Sequence, residues 1–178
     1  TTLFTADSFS LLEAIAVSDS TLDVSDLNDA IALANTVTGL ENAVTAFSLI
    51  SGATINGGAE SAFTTLLGFE TAGQIIITDQ NITVDSGTVS VDNANLLDAT
   101  TTGIVTASIN TTETVDELKT LAAGNNAYTI VIASGDATGT TASELNTINA
   151  ATSVAIDASA VTGLASDNIS NINTFLNK

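Results

Sequence analysis

Cysteine, histidine, methionine, tryptophan and proline are all absent from the 178 residues. Without cysteine there are no disulfides, no thiol redox chemistry and no thiolate metal sites. Without histidine the usual ligands of zinc, copper and iron are missing. Only hard, oxygen-binding cations remain, calcium among them, and no other cofactor is expected. No Ser-His or Cys-His nucleophile can be assembled. Basic residues are almost absent too: Lys119 and Lys178 face 20 acids, giving a formal net charge of -18 and a pI near 4.1. A surface of that sign repels phosphate, which excludes nucleic acid as a partner and removes attraction to anionic lipid headgroups. No apolar run approaches the roughly 20 residues of a membrane-spanning helix, so membrane insertion is not expected. Aromatic residues make up 4% of the chain, too few for the platforms on which sugar-cutting sites rest. A carboxylate-based glycosidase therefore ranks low, and no enzyme is expected.

What is present argues for a packed fold. Hydrophobic residues make up 44% of the chain and charged residues only 12%, with a mean hydropathy of +0.40, the reverse of a disordered composition. With few charges available, the polar surface is built from Thr, Ser and Asn, the habit of a secreted or cell-surface protein. Repulsion among the carboxylates costs compactness, so a salty or calcium-rich medium is expected to help. The chain starts at Thr1 with neither an initiator Met nor a signal peptide, which predicts a processed product or a piece of something longer.

A repeat runs through the second half. Val91-Asp92-Asn93-Ala94-Asn95-Leu96-Leu97 is echoed by Val115-Asp116-Glu117-Leu118-Lys119-Thr120-Leu121. Two further echoes are Ala142-Ser143-Glu144-Leu145-Asn146-Thr147-Ile148 and Ser166-Asp167-Asn168-Ile169-Ser170-Asn171-Ile172. Their last positions are spaced by 24, 27 and 24 residues, within the range of one solenoid coil made of a strand and a short helix. Thr114-x-x-Glu117 and Thr141-x-x-Glu144 read as capping boxes that start helices. Ile75-Ile76-Ile77, Ile104-Val105-Thr106, Tyr128-Thr129-Ile130-Val131-Ile132 and Val154-Ala155-Ile156 read as strands. One strand and one helix per unit, repeated, places successive strands parallel. Val154-x-Ile156-x-x-Ser159-x-Val161-x-x-Leu164 resembles a leucine-rich repeat in its spacing, with Ser159 where that family has Asn.

The first half is less regular. Residues 24–37, through Leu27, Ile31 and Leu33, carry a helical pattern, and Leu40 to Ile50 another, with Gly39 between them as a stop signal. Gly57-Gly58 reads as a loop before a helix starting near Ala62. The prediction is an α/β fold: a helical capping region over 1–58, then a solenoid of strand-plus-short-helix coils with parallel strands over 59–178, in one continuous domain.

Asp19, Asp23 and Asp26, with Asp29 nearby, offer hard oxygen ligands for calcium; the competing reading is that Asp23 or Ser25 caps the following helix while Asp26 and Asp29 favour its N-terminus. Asp79 and Asp85, with Asp92, lie near the ends of the Ile75–Val84 strand region and form a second candidate set at one edge. Asp136 is the last candidate, in the loop Ser134–Thr140, which lacks the Lys and the glycine spacing of a phosphate cradle. Neither calcium-loop spacing nor glycine-and-aspartate nonapeptides are present. Three Asn-x-Ser/Thr sequons occur, at Asn81, Asn110 and Asn168. Threonine abundance raises ice binding, ranked below adhesion because Thr83, Thr106 and Thr129 are scattered rather than laddered.

The stretch Glu144 to Leu164, ELNTINAATSVAIDASAVTGL, resembles repeat units of very large Thr-, Ala- and Asp-rich bacterial surface proteins, such as the surface-layer proteins and giant adhesins of marine bacteria and cyanobacteria. The resemblance covers residues 90–178. It implies an extracellular or cell-surface location and a structural, self-assembling role with copies of itself or neighbouring surface proteins as partners. The alternative it implies is an adhesin or tail-fibre-like module recognising a glycan or a surface. It carries over no catalytic residue.

Overall fold

The computed structural model describes residues 14–36, 46–133 and 139–176. Over these residues the chain is α/β, with a parallel-strand sheet of five strands and six helices. It forms two compact units, Thr1–Ser86 with Ala99–Gly103, and Gly87–Asp98 with Ile104–Lys178.

In the first unit, β1 (Ala14–Val17), β3 (Ala46–Leu49) and β5 (Ile75–Ile76) pair side by side, and so do β2 (Thr21–Asp23), β4 (Thr54–Ala59) and β6 (Asn81–Ser86). All four pairings are parallel. The register puts Leu22 opposite Ile55 and Ile55 opposite Ile82, and all three side chains are buried. One rank of aliphatic side chains thus runs across three strands, each such residue contributing about 1.5–3 kcal/mol relative to exposure. Helix α1 (Val24–Thr36) follows β2 and buries Val24, Leu27 and Ile31, a narrow stripe at helical spacing. Helix α2 (Glu60–Thr71) follows β4 and buries Phe63 and Leu66. Gly57 has φ +80°, and a Cβ there would lie 2.0 Å from Asp23 Oδ2; a Cβ on Gly58 would lie 2.3 Å from Val24 Cγ1. The glycine pair lets β4 approach the β2–α1 junction closely, so it belongs to a strand and not to the expected loop.

In the second unit, β7 (Val105–Ser108) pairs in parallel with β8 (Ala127–Thr129), and single parallel bridges join Val89 to Ile109 and Val131 to Asp157. Alternation along β7 turns Val105 and Ala107 inward. The helices are α3 (Val91–Thr100), α4 (Val115–Leu118), α5 (Ala142–Ala150) and α6 (Ile169–Leu176). Two of them start on complete capping boxes. Thr114 Oγ1 accepts from Glu117 N at 3.2 Å while Glu117 Oε2 accepts from Thr114 N at 2.7 Å. Thr141 and Glu144 repeat the exchange at 3.2 and 2.9 Å. Tyr128 is buried with its hydroxyl donating to Ala94 O at 3.3 Å, and burial pushes its phenol up from the ordinary tyrosine value.

The helix over 24–37 and the helix near Ala62 are where the pattern predicts them, as α1 and α2. The repeated heptads beginning at Val91, Val115 and Ala142 start α3, α4 and α5, and their last residues Leu97, Leu121 and Ile148 are buried. Other expectations give way. Within the helix read over Leu40 to Ile50, Ala46–Leu49 is strand β3, with residues 40–45 outside the described residues. Phe47 N donates to Gln74 O at 2.8 Å, and pairing to both neighbours overrides a helical spacing of apolar residues. Residues 14–58 therefore carry four strands beside α1 and are not a purely helical cap. Val154-Ala155-Ile156 forms no strand. Val154 is 38% and Leu164 37% exposed, so the leucine-rich-repeat spacing does not turn its apolar positions inward.

Candidate functional site

The carboxylates are the only abundant chemically active groups, and the fold engages most of them in hydrogen bonds. Asp23 caps α1: its Oδ1 accepts from Ser25 N at 2.8 Å and, at the limit, from Asp26 N at 3.4 Å. Asp19, Asp23 and Asp26 line one shallow depression of about 230 Å³ with Thr21, Leu22, Leu27, Ala30 and Phe47. Three of the six calcium candidates therefore share a surface. Asp79 and Asp85 do not, because they lie before the start and near the end of β6, on the order of 20 Å apart along an extended strand. Asp92 lines a separate depression of about 310 Å³ in the second unit with Glu113, Asp116 and Glu117. Asp136 lies outside the described residues. Among the described residues no three acids gather closely enough to hold a metal ion. One oxygen of Asp23 is committed to the α1 cap, which leaves Oδ2 and the carboxylates of Asp19 and Asp26 facing the depression.

The acids mostly reach chain neighbours about two dozen residues away. Asp79 accepts from the Ser51 hydroxyl, and this bond comes first in holding its carboxyl below the usual aspartate value. Asp85 Oδ2 accepts from Gly57 N at 3.2 Å. Glu113 Oε1 accepts from Val91 N, at the start of α3, at 3.2 Å. Asp167 Oδ2 accepts from Ser143 N in the first turn of α5 at 2.6 Å; the Asn171 amide, followed by that backbone bond, lowers its pKa. A carboxylate set against a helix start satisfies an orphan donor and meets the positive end of the dipole.

Lys119, the one described cation, sits 2.7 Å from Asp116 and 2.8 Å from Glu144. The two acids hold its ammonium above the ordinary lysine value, Asp116 first. Lys119 in turn is the leading cause holding Glu144 low, followed by the Thr141 backbone N–H. Glu117 is held low by the Thr114 N–H of its capping box, and Asp157 by Ser159. The Asp116 partner is an exposed neighbour in one helical turn and contributes little, whereas the Glu144 partner joins two helices.

Asparagine does the same work with a neutral group. Asn28 donates to Ala62 O at 2.8 Å, Asn95 to Thr120 O at 3.0 Å and Asn146 to Asn171 O at 3.0 Å; Asn95 also accepts from Ala122 N at 2.9 Å. Each is the fifth residue of its helix, α1, α3 and α5, and Lys119 follows α4 at the same count. The sequence reading missed this set. Counting five from the starts of α1, α3, α4 and α5 would have exposed it. Threonine closes the turns: Thr101 Oγ1 donates to Gln80 O at 2.6 Å and accepts from Gly103 N at 2.9 Å. Thr152 repeats this between Tyr128 O and Val154 N, at 2.8 and 3.1 Å. Asn126, 3% exposed, accepts from Val105 N at 2.9 Å and donates to Asp98 at 2.6 Å.

Chemically, this arrangement can accept hydrogen bonds between neighbouring stretches of chain, and it converges no acid and base on a common enclosed space among the described residues. Comparison with protein-family models, with curated proteins and with solved structures returned no match.

Proposed function

We propose that the chain is a structural, self-assembling module of an extracellular surface protein, in which each compact unit is a stack of strand-plus-helix coils. The observation that carries this reading is the sequence separation of the non-local side-chain hydrogen bonds. Glu113 to Val91 spans 22 residues, Asp167 to Ser143 24, Asn95 to Thr120 25, and Ser51 to Asp79 28. The full spread of such bonds runs from 21 to 39 residues, with many near 22–28. Spans near 22–28 are about one coil, as expected of a chain whose repeats touch their neighbours. Several carboxylates, among them Asp79, Asp85, Glu113 and Asp167, are engaged as acceptors between distant stretches of chain, which supports a load-sharing role over a ligand-handling one. Its partners are copies of itself or neighbouring surface proteins, brought together where salt or calcium screens the negative charge.

Electron microscopy and small-angle scattering of the purified chain, with and without added calcium, test this. Elongated particles that order into filaments or sheets are expected. A compact globular monomer under every condition, binding one glycan class on an array, would replace the scaffold with the adhesin reading.

A further inference from the structure

The chain has one Asn-Gly pair, Asn56-Gly57, and the fold sets a carboxylate against it. In β4 the register with β6 passes from Ile55 opposite Ile82 to Gly58 opposite Val84, so Asn56 and Gly57 together face the single residue Thr83. This is a bulge, where strand geometry loosens and one residue stands outside regular pairing. Gly57 takes φ +80° and is exposed, with Asn56 half-exposed. The N–H of Gly57 points at Asp85 Oδ2, 3.2 Å away, within the reach a general base needs of the proton it removes.

We propose that Asn56-Gly57 is a self-modifying site, an asparagine deamidated by its own backbone with Asp85 as the general base. The Asp85 carboxylate takes the proton from Gly57 N, and that nitrogen attacks Cγ of Asn56. A C–N bond forms, the Cγ–Nδ2 bond breaks, and the side-chain nitrogen leaves as ammonia with the proton returned to it. The product is a five-membered succinimide between positions 56 and 57. Water then opens either carbonyl, leaving aspartate or isoaspartate at position 56. No oxidant, metal or second enzyme is consumed. Glycine at 57 favours the reaction on two counts: its Cα carries no Cβ to crowd the attacking nitrogen, and a Cβ would collide with Asp23 Oδ2. The new carboxylate stands in register with Asp23 on β2 and close to Asp85, so like charges oppose each other across the β2–β4 pair. The isoaspartate product also lengthens the backbone by one methylene and disturbs the same pairing. The site marks the age of the folded chain and loosens one edge of its first unit.

The test is peptide mapping by mass spectrometry of the full chain held at neutral pH, in buffer and in urea, beside Asp85→Asn and Asn56→Gln. Asp85→Asn keeps an acceptor for Gly57 N–H but is no base; circular dichroism checks that it folds. The native chain is expected to gain one mass unit and an isoaspartyl linkage at position 56, and Asn56→Gln to abolish both. In buffer Asp85→Asn should slow conversion by about tenfold or more, a modest share of what a positioned base contributes, and in urea it should convert at the wild-type rate. The proposal is overturned if Asn56 stays an amide in the native chain while the urea-unfolded chain converts, or if folded Asp85→Asn keeps the wild-type rate.

Discussion

Single residues carry contacts between stretches of chain about two dozen residues apart, so their replacement reads out each contact directly. Asn95 has both ends of its amide engaged, donating to Thr120 O and accepting from Ala122 N. Asn95→Ala removes two bonds and leaves backbone groups without their partner, so a loss of about 1–3 kcal/mol is expected in denaturant unfolding. A loss indistinguishable from zero would mean that water replaces the amide and that the contact is incidental. Gly103 offers a steric counterpart. A Cβ there would lie 2.3 Å from Gln80 O, a backbone atom that cannot swing aside, and the Thr101 turn ties the two stretches together. Gly103→Ala should therefore lower stability by about 1–3 kcal/mol, the usual cost of overpacking. Gly163→Ala is the control, since nothing lies within 4 Å of its Cβ position.

At the scale of the element, helix starts are where charge and hydrogen bonding meet. Thr141→Ala breaks the capping box of α5 and should cost about 1 kcal/mol. The same geometry sets a pH dependence. The carboxyls of Asp79, Glu117, Glu144, Asp157 and Asp167 all lie below their ordinary values when folded. Depressed groups contribute stability above the unfolded value, and that contribution is lost as pH falls through the folded one. Melting temperature should therefore fall as pH is lowered through the range where these five carboxyls take up protons, and the fall should persist in high salt, because screening weakens long-range repulsion and spares contact hydrogen bonds. A melting temperature unchanged in acid would show that these hydrogen bonds contribute nothing. Lys119 has the opposite sign: its raised value makes its contribution full below the unfolded lysine pKa and lost in alkali as pH climbs through the folded one.

For the molecule as a whole, the second half was legible in the sequence because its repeat is written in local signals. Capping boxes at Thr114 and Thr141 and the heptads from Val91, Val115 and Ala142 specify helix starts without reference to anything distant. The strands of the first half were harder to see, because β3 and β4 depend on partners in the fold. Phe47 sits opposite Ile75, and Gly57-Gly58 is a strand only because β2 lies against it. The acids were legible as a composition but not as a pattern, since several of them, Glu113 and Asp85 among them, are paired with donors some 22–28 residues away. That pairing also bears on calcium. Candidates Asp79, Asp85 and Asp23 are engaged with Ser51, Gly57 and the α1 cap, and no trio converges among the described residues. At these acids added cations are expected to act by screening. Melting temperature in calcium chloride and in sodium chloride should follow one curve when plotted against ionic strength, rising without saturation over the range where the Debye length falls from about 30 to about 8 Å. A calcium curve that departs upward and levels off at a fixed number of ions per chain would instead locate a real site, in residues such as Asp136 that lie outside the described ones.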